Sequence, residues 1–217
     1  MTRKLSLTVD GKNVAVHLHK GDLPDSVTFN GPVAVDSETL GLSLVRDPLC
    51  LVQISDGAGE AHLVQLDRSN YNAPNLKRVL SDQEVLKLFH FARFDVAALR
   101  HWLGIKVEPL YCTRTVSKLV RTYTDRHGLK DLTKEVLGRD MTKDQQSSDW
   151  GAAELSDAQL NYAASDVLHL HALKEKLDVM LAREGRVEIA QSCFDFLPTR
   201  AALDLAGWEE VDIFAHS

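Results

Sequence analysis

Val33-Ala34-Val35-Asp36-Ser37-Glu38-Thr39-Leu40-Gly41-Leu42 is the stretch on which the reading of this chain turns. Val33 and Val35 are β-branched and Gly41 marks a turn just beyond, so the segment reads as a buried strand ending in two carboxylates. Strand side chains alternate, which puts Asp36 and Glu38 on one face. Two acidic groups forced together at the mouth of a core strand repel each other, and a bound cation relieves that repulsion. Hard oxygen donors of this kind suit Mg²⁺ or Mn²⁺. A solvated acidic strand end has the same local sequence, so the choice between the two rests on residues downstream.

The surrounding chain has 217 residues, 44% hydrophobic and 26% charged, which fits one soluble globular domain over 1–217. A net charge of −6 argues against holding long nucleic acid by bulk electrostatics. Any nucleic-acid chemistry must work through metal ions and local basic groups, or on short pieces. Cys50, Cys112 and Cys193 are far apart, odd in number and without metal-ligand spacing. A reduced, cytoplasmic setting is the simplest expectation. The N-terminus lacks a signal-peptide core, and no apolar run approaches the ~18 residues of a membrane span.

Alternation predicts a hairpin over 5–19 turning at Asp10-Gly11, then strands at 33–38, 50–54 and 62–66, together an antiparallel meander. Helical spacing follows at 74–80, a core strand at 85–90 and a helix at 95–103 stopped by Gly104. A short strand is expected at 107–111, then helices at 113–120 and 129–137. Ser156 is placed to cap a long helical region reaching about Gly185, and 188–206 continues helical with a break at Pro198. Strands early and helices late predict an α/β fold, a mixed sheet flanked by helices. The tail at about 207–217 holds Trp208, Ile213 and Phe214. Such residues at a chain end predict docking on the core or a subunit contact.

Two further acids complete the pattern. Asp95 falls at or near a helix N-terminus, where a carboxylate also suits the helix dipole. Tyr162 and Asp166 are four apart and share one helix face, with small residues between them. Asp36-x-Glu38, His90-Phe91-Ala92-Arg93-Phe94-Asp95 and Tyr162-Ala163-Ala164-Ser165-Asp166 together resemble the DEDD superfamily of 3′→5′ exonucleases, in the subclass with Tyr in the third motif. The sister subclass carries His five residues before the final Asp, where this chain has Asn161. Gln146-Ser147-Ser148-Asp149-Trp150 resembles the loop before the third motif of RNase D proteins. Residues 36–42, 119–130, 145–150 and 212–217 are similar to segments of the nano-RNase C family.

The resemblance implies a ribonuclease H-like DEDD exonuclease fold and an exoribonuclease for very short RNA, diribonucleotides above all. It also implies a homo-oligomeric, octameric ring. Asp36, Glu38, Asp95 and Asp166 are then expected to hold two Mg²⁺ or Mn²⁺ ions ~3.5–4 Å apart, with Tyr162 orienting the attacking water. Substrate contacts are expected from Leu42, as a wedge between two bases, and from Thr39, Leu40, His90, Phe94 and Trp150. Arg121, Arg126 and His127, in a basic stretch with Tyr123 and Lys130, are candidates for phosphate contact, as are Gln146, Ser147 and Ser148. A less length-selective exonuclease acting on longer RNA or DNA 3′ ends is the alternative. A catalytically dead binding module is disfavoured because all four acids and the Tyr are present.

Overall fold

The computed structural model describes residues 2–9, 12–141 and 145–216. Seven strands form one mixed sheet in the order β1-β2-β5-β4-β3-β6-β7. They are β1 (Thr2–Val9), β2 (Lys12–Lys20), β3 (Val33–Thr39), β4 (Leu49–Ser55), β5 (Glu60–Gln65), β6 (Lys87–Phe89) and β7 (Leu110–Cys112). Every residue of β4 is buried, as a strand covered on both faces requires. β3 lies beside it, antiparallel to β4 and parallel to β6.

The expected α/β architecture is therefore present, with one correction to its strand order. β3, β4 and β5 do form an antiparallel meander, but β2 does not pair with β3. It pairs in parallel with β5, His17 opposite His62. One face of β2 presents Val14, Val16 and Leu18, all buried, and that face is covered only when β2 extends the sheet. The expected turn at Asp10-Gly11 lies outside the described residues.

The helices are α1 (Pro74–Ser81), α2 (Ala92–Leu103), α3 (Thr113–Val120), α4 (Leu129–Leu137), α5 (Asp157–Leu168), α6 (Leu170–Arg183) and α7 (Val187–Leu203). Gly104 ends α2 with a left-handed backbone, φ 69°. The long helical region after Ser156 is two helices that meet at His169. Pro198 does not break α7. It is buried with Phe194 and Ala201 on one face, and packing against α2 and β7 outweighs the one hydrogen bond a proline forfeits. The segment Asp204–Trp208, kinked at Gly207 with φ 100°, then leads into the tail. No helix among the described residues is long and apolar enough to cross a membrane.

The tail is gripped by its backbone. Asp204 is buried and accepts from both Arg93 and Arg200. The same guanidinium groups donate to carbonyls of Trp208, Glu209 and Val211. The apolar side chains stay outside: Phe214 is 77% exposed and touches Phe196, itself partly exposed.

Leu51 sits opposite Glu38 in the β3–β4 register and is fully buried. Leu51→Ala is expected to cost about 2–5 kcal/mol of stability, read as a lower urea midpoint with an unchanged denaturant slope.

Candidate active site

Alternation along β3 delivers what the sequence predicts for its acids. Asp36 and Glu38 point the same way, and α5 brings Asp166 onto them. Ser156 starts α5 with a capping box closed by Gln159. Ala163 and Ala164 are buried on the helix face that meets the sheet, so α5 can lie close. One carboxylate oxygen from each of Asp36, Glu38 and Asp166 lies within 4.8 Å of the other two.

Asp95 sits in the first turn of α2 and is buried, but its carboxylate meets β3 at Ser37, whose hydroxyl donates to it at 2.6 Å. Its charge adds to the forces that raise Glu38. All four carboxyls are pushed up from their usual range, first by burial. The charge of Asp36 then raises the other three as well. Gln53, opposite Asp36 in the register and fully buried, donates an amide hydrogen to it at 3.3 Å. No Lys or Arg pairs with the three clustered acids among the described residues. A half-buried like-charge cluster of oxygen donors with no cationic partner among the described residues fits divalent ions of the Mg²⁺ or Mn²⁺ type.

Tyr162 lies one turn before Asp166 on the same helix face, and its own acidity is suppressed mainly by burial and then by the charge of Asp166. Asp36, Ser37, Glu38, Tyr162 and Asp166 line a cleft of about 310 Å³. His90, Phe91, Arg114, Lys130, Met141 and Gln146 line the same cleft. His90 accepts from or donates to Thr113 at 2.8 Å through Nδ1, while Nε2 is buried without a partner. Burial lowers its pKa to about 3, so the ring is neutral.

Several expected substrate residues stand elsewhere. Arg121 is not free to hold phosphate: it is fully buried and bound to Glu135, Ser117 and the carbonyl of Arg126. Tyr123 joins the same glutamate at 2.6 Å, and His127 hydrogen-bonds Ser117 at 2.9 Å. This network shapes the 121–128 turn instead. Arg126 is exposed but paired with Asp131. Phe94 packs against the core, and Trp150 is buried with its ring 6.1 Å from that of Tyr162. Ser148 bonds Gln145 and Ser147 is outside the cleft lining, which leaves Gln146 as the member of that loop facing it. Thr39 donates to the carbonyl of Gly41. Leu40 and Leu42 are exposed, Leu42 at 84%, so it is no core leucine.

Sequence reasoning missed Arg114 and Phe91. Arg114 makes no ion pair among the described residues, and its Nε is buried without a hydrogen bond. Its guanidinium lies 4.6 Å from the centre of the Phe91 ring. Phe91 is 43% exposed and turns β6 into α2 with a left-handed backbone, φ 73°, an unusual state for an aromatic residue. Arg114 lies outside the motifs, on the first turn of α3, and only the parallel β6–β7 pairing brings it to the acids.

The sequence pattern of the 3′-5′ exonuclease domain matches residues 21–182. The chain belongs to this 3′→5′ exonuclease family. Ribonuclease D of Gluconacetobacter diazotrophicus is 34% identical over 156 residues, 72% of this chain and 39% of that protein. The chain thus spans about two fifths of the length of this exonuclease-family relative. Among solved structures, Brucella melitensis NrnC with bound Mg²⁺ is 52% identical with a TM-score of 0.88, covering 93% of this chain and 99% of NrnC. The same NrnC bound to pGG is 53% identical with a TM-score of 0.89, covering 93% and 98%. The family's ribonuclease H-like fold and the nano-RNase C resemblance are thereby established for this chain.

Two measurements test the site. Folded carboxyls with raised pKa keep protons that the unfolded chain has released, so the cluster destabilises the metal-free fold increasingly as pH rises from about 4 through 7 and above. Mg²⁺ is therefore expected to raise the melting temperature more at pH 8 than at pH 6, and Asp36→Asn to raise it without metal. Equal Mg²⁺ shifts at both pH values count against this electrostatic account. Separately, Arg114→Ala is expected to leave the melting temperature within a degree or two and raise KM. Arg121→Ala removes a buried, hydrogen-bonded charge and is expected to cost about 2–4 kcal/mol, seen in chemical unfolding.

Proposed function

We propose that this protein is a divalent-metal-dependent 3′→5′ exoribonuclease that hydrolyses very short RNA, diribonucleotides above all, to nucleoside 5′-monophosphates. The observation that carries the reading is the convergence of Asp36, Glu38 and Asp166 beside Tyr162 in a cleft also lined by Arg114, which makes no ion pair among the described residues. Similarity across almost the whole of NrnC, including a pGG-bound form, supports the short substrate.

Asp36, Glu38 and Asp166, with Asp95 behind them, would hold two Mg²⁺ or Mn²⁺ ions, which when bound supply Lewis acidity to the attacking water and the leaving oxygen. Water adds to phosphorus, the bond to the 3′ oxygen of the preceding nucleoside breaks, and that oxygen takes up a proton. Tyr162 stays protonated near neutral pH because its acidity is suppressed, so it serves as a donor that orients the water and is not the base. Neutral His90 and the Ser37 hydroxyl hold the surrounding side chains in place without adding charge. Arg114 supplies the fixed positive charge that a phosphate needs, in a planar fork suited to two oxygens. Phe91 keeps that fork in position and offers an exposed ring to a base. Exposed Leu42 is free to act as a wedge.

Cys50, Cys112 and Cys193 are all free thiols, which supports a reducing cytoplasm as the place of action. Exposed Trp208, Val211, Ile213 and Phe214 support a homo-oligomer with the tail at a subunit contact.

A timed digest with Mg²⁺ of 5′-labelled RNAs of two to seven nucleotides should show preferential loss of the dimer; equal loss at all lengths would favour the less selective exonuclease. Tyr162→Phe should lower kcat by about 10²-fold with little change in KM. Truncation after Gly207 should lower the assembled mass in solution, and an unchanged mass would remove the tail from the interface.

A further inference from the structure

β4 is buried from end to end, yet its middle holds an amide, Gln53. Gln53 is fully buried and stands opposite Asp36 in the register, so the two side chains share one face of the sheet. α5 packs over β3, β4 and β5 and brings Asp166 to the same acids. On that face Gln53 has Leu51 two residues before it and Leu63 opposite it on β5, both fully buried. An aliphatic side chain would suit this layer better than an amide.

The polar atoms of the strand show the contrast. Ser55, also on this face, has its hydroxyl fully used: it donates to the carbonyl of Glu60 at 2.6 Å and accepts from the amide of Gly57 at 3.1 Å. Gln53 is not satisfied in this way. Its Nε2 donates to Oδ2 of Asp36 at 3.3 Å, and its Oε1 is buried with no hydrogen-bond partner. A buried orphan carbonyl weakens a fold relative to an apolar residue of the same shape. Packing therefore does not account for Gln53, and its one side-chain hydrogen bond leads to the metal site.

We propose that Gln53 is a positioning residue for the carboxylate cluster, its amide holding the Asp36 carboxyl in the orientation in which it ligates. The inference rests on the metal-dependent reading of the cleft. A carboxylate otherwise turns about its Cβ–Cγ bond. A hydrogen bond to one oxygen, from a side chain on the adjoining strand, restrains that turn and leaves the other oxygen for the cation. Ligating carboxylates are commonly held by such a second hydrogen bond. The chemistry of the donor also matters. A Lys or Arg here would neutralise Asp36 and take the place of the cation, and an ionised Glu could only accept. An amide donates without changing the charge that attracts the ion.

The test measures Mn²⁺ binding to the full chain without RNA, from the electron paramagnetic resonance signal of the free ion. Gln53→Met keeps the length and removes the donor. It is expected to weaken Mn²⁺ binding by about 10–100-fold while the metal-free melting temperature holds or rises. Its RNA cleavage should fall at low Mg²⁺ and recover toward the unaltered rate as Mg²⁺ is raised. Gln53→Asn keeps the amide but is one methylene shorter, so it should weaken binding as well, and it serves if the Met variant misfolds. Val52→Ala, on the other face of β4, should lower the melting temperature and leave Mn²⁺ affinity unchanged. Equal Mn²⁺ affinity in Gln53→Met and the unaltered chain overturns the proposal. So does a parallel fall of affinity and melting temperature in all three variants, which would make Gln53 a packing residue. Absence of Mn²⁺ binding by the unaltered chain is a different failure, because it removes the metal-dependent reading itself.

Discussion

The structure depends on a repulsion that it does not relieve by itself. Asp36 and Glu38 stand at the end of a strand that is paired on both sides, and α5 presses Asp166 against them. Charges this close in a partly desolvated cleft repel one another's ionisation, and their carboxyls rise above the usual range, first by burial and then by that repulsion. The rest of the fold supplies the force that keeps them together. β4 is buried throughout and anchors β3, while α5 is fixed by its capping box and its alanine face. The stability of the sheet is thus spent on holding acids in place for a cation.

Around that centre the protein separates its basic groups by use. Arg121, Arg93 and Arg200 are committed to carboxylates and carbonyls, and they shape the 121–128 turn and the tail. Arg114 is committed to an aromatic ring, which fixes its direction while leaving its charge available. A net negative chain can therefore still present positive charge to one or two phosphates. Few phosphate contacts suit a short substrate better than a long one.

Period-two and helical spacing made β3 to β6 and α1 to α4 legible, because those elements bury one face and carry turn residues at their ends. The Asp36, Glu38, Tyr162 and Asp166 set was legible too, since alternation and the four-residue helical interval are local rules. What was hidden is non-local. The parallel pairing of β2 with β5 depends on which sheet edge is open, not on either strand's own pattern. Arg121 looks like an exposed base in sequence because Glu135 is fourteen residues away and is brought to it only by the turn. Arg114 belongs to the site through the β6–β7 pairing alone. Pro198 reads as a helix breaker until the packing of its buried face is known.

The register of β3 against β4 shifts between Glu38 and Thr39. Up to Glu38 the pairing is regular, and beyond it the chain leaves for the loop that carries Leu40 and Leu42 in solvent. That irregularity works as a joint between two duties. Side chains or lengths in the loop after it can drift without altering the alternation that aims the acids. A loop of different length or chemistry could thus be accommodated beyond the joint while the carboxylates before it keep their aim.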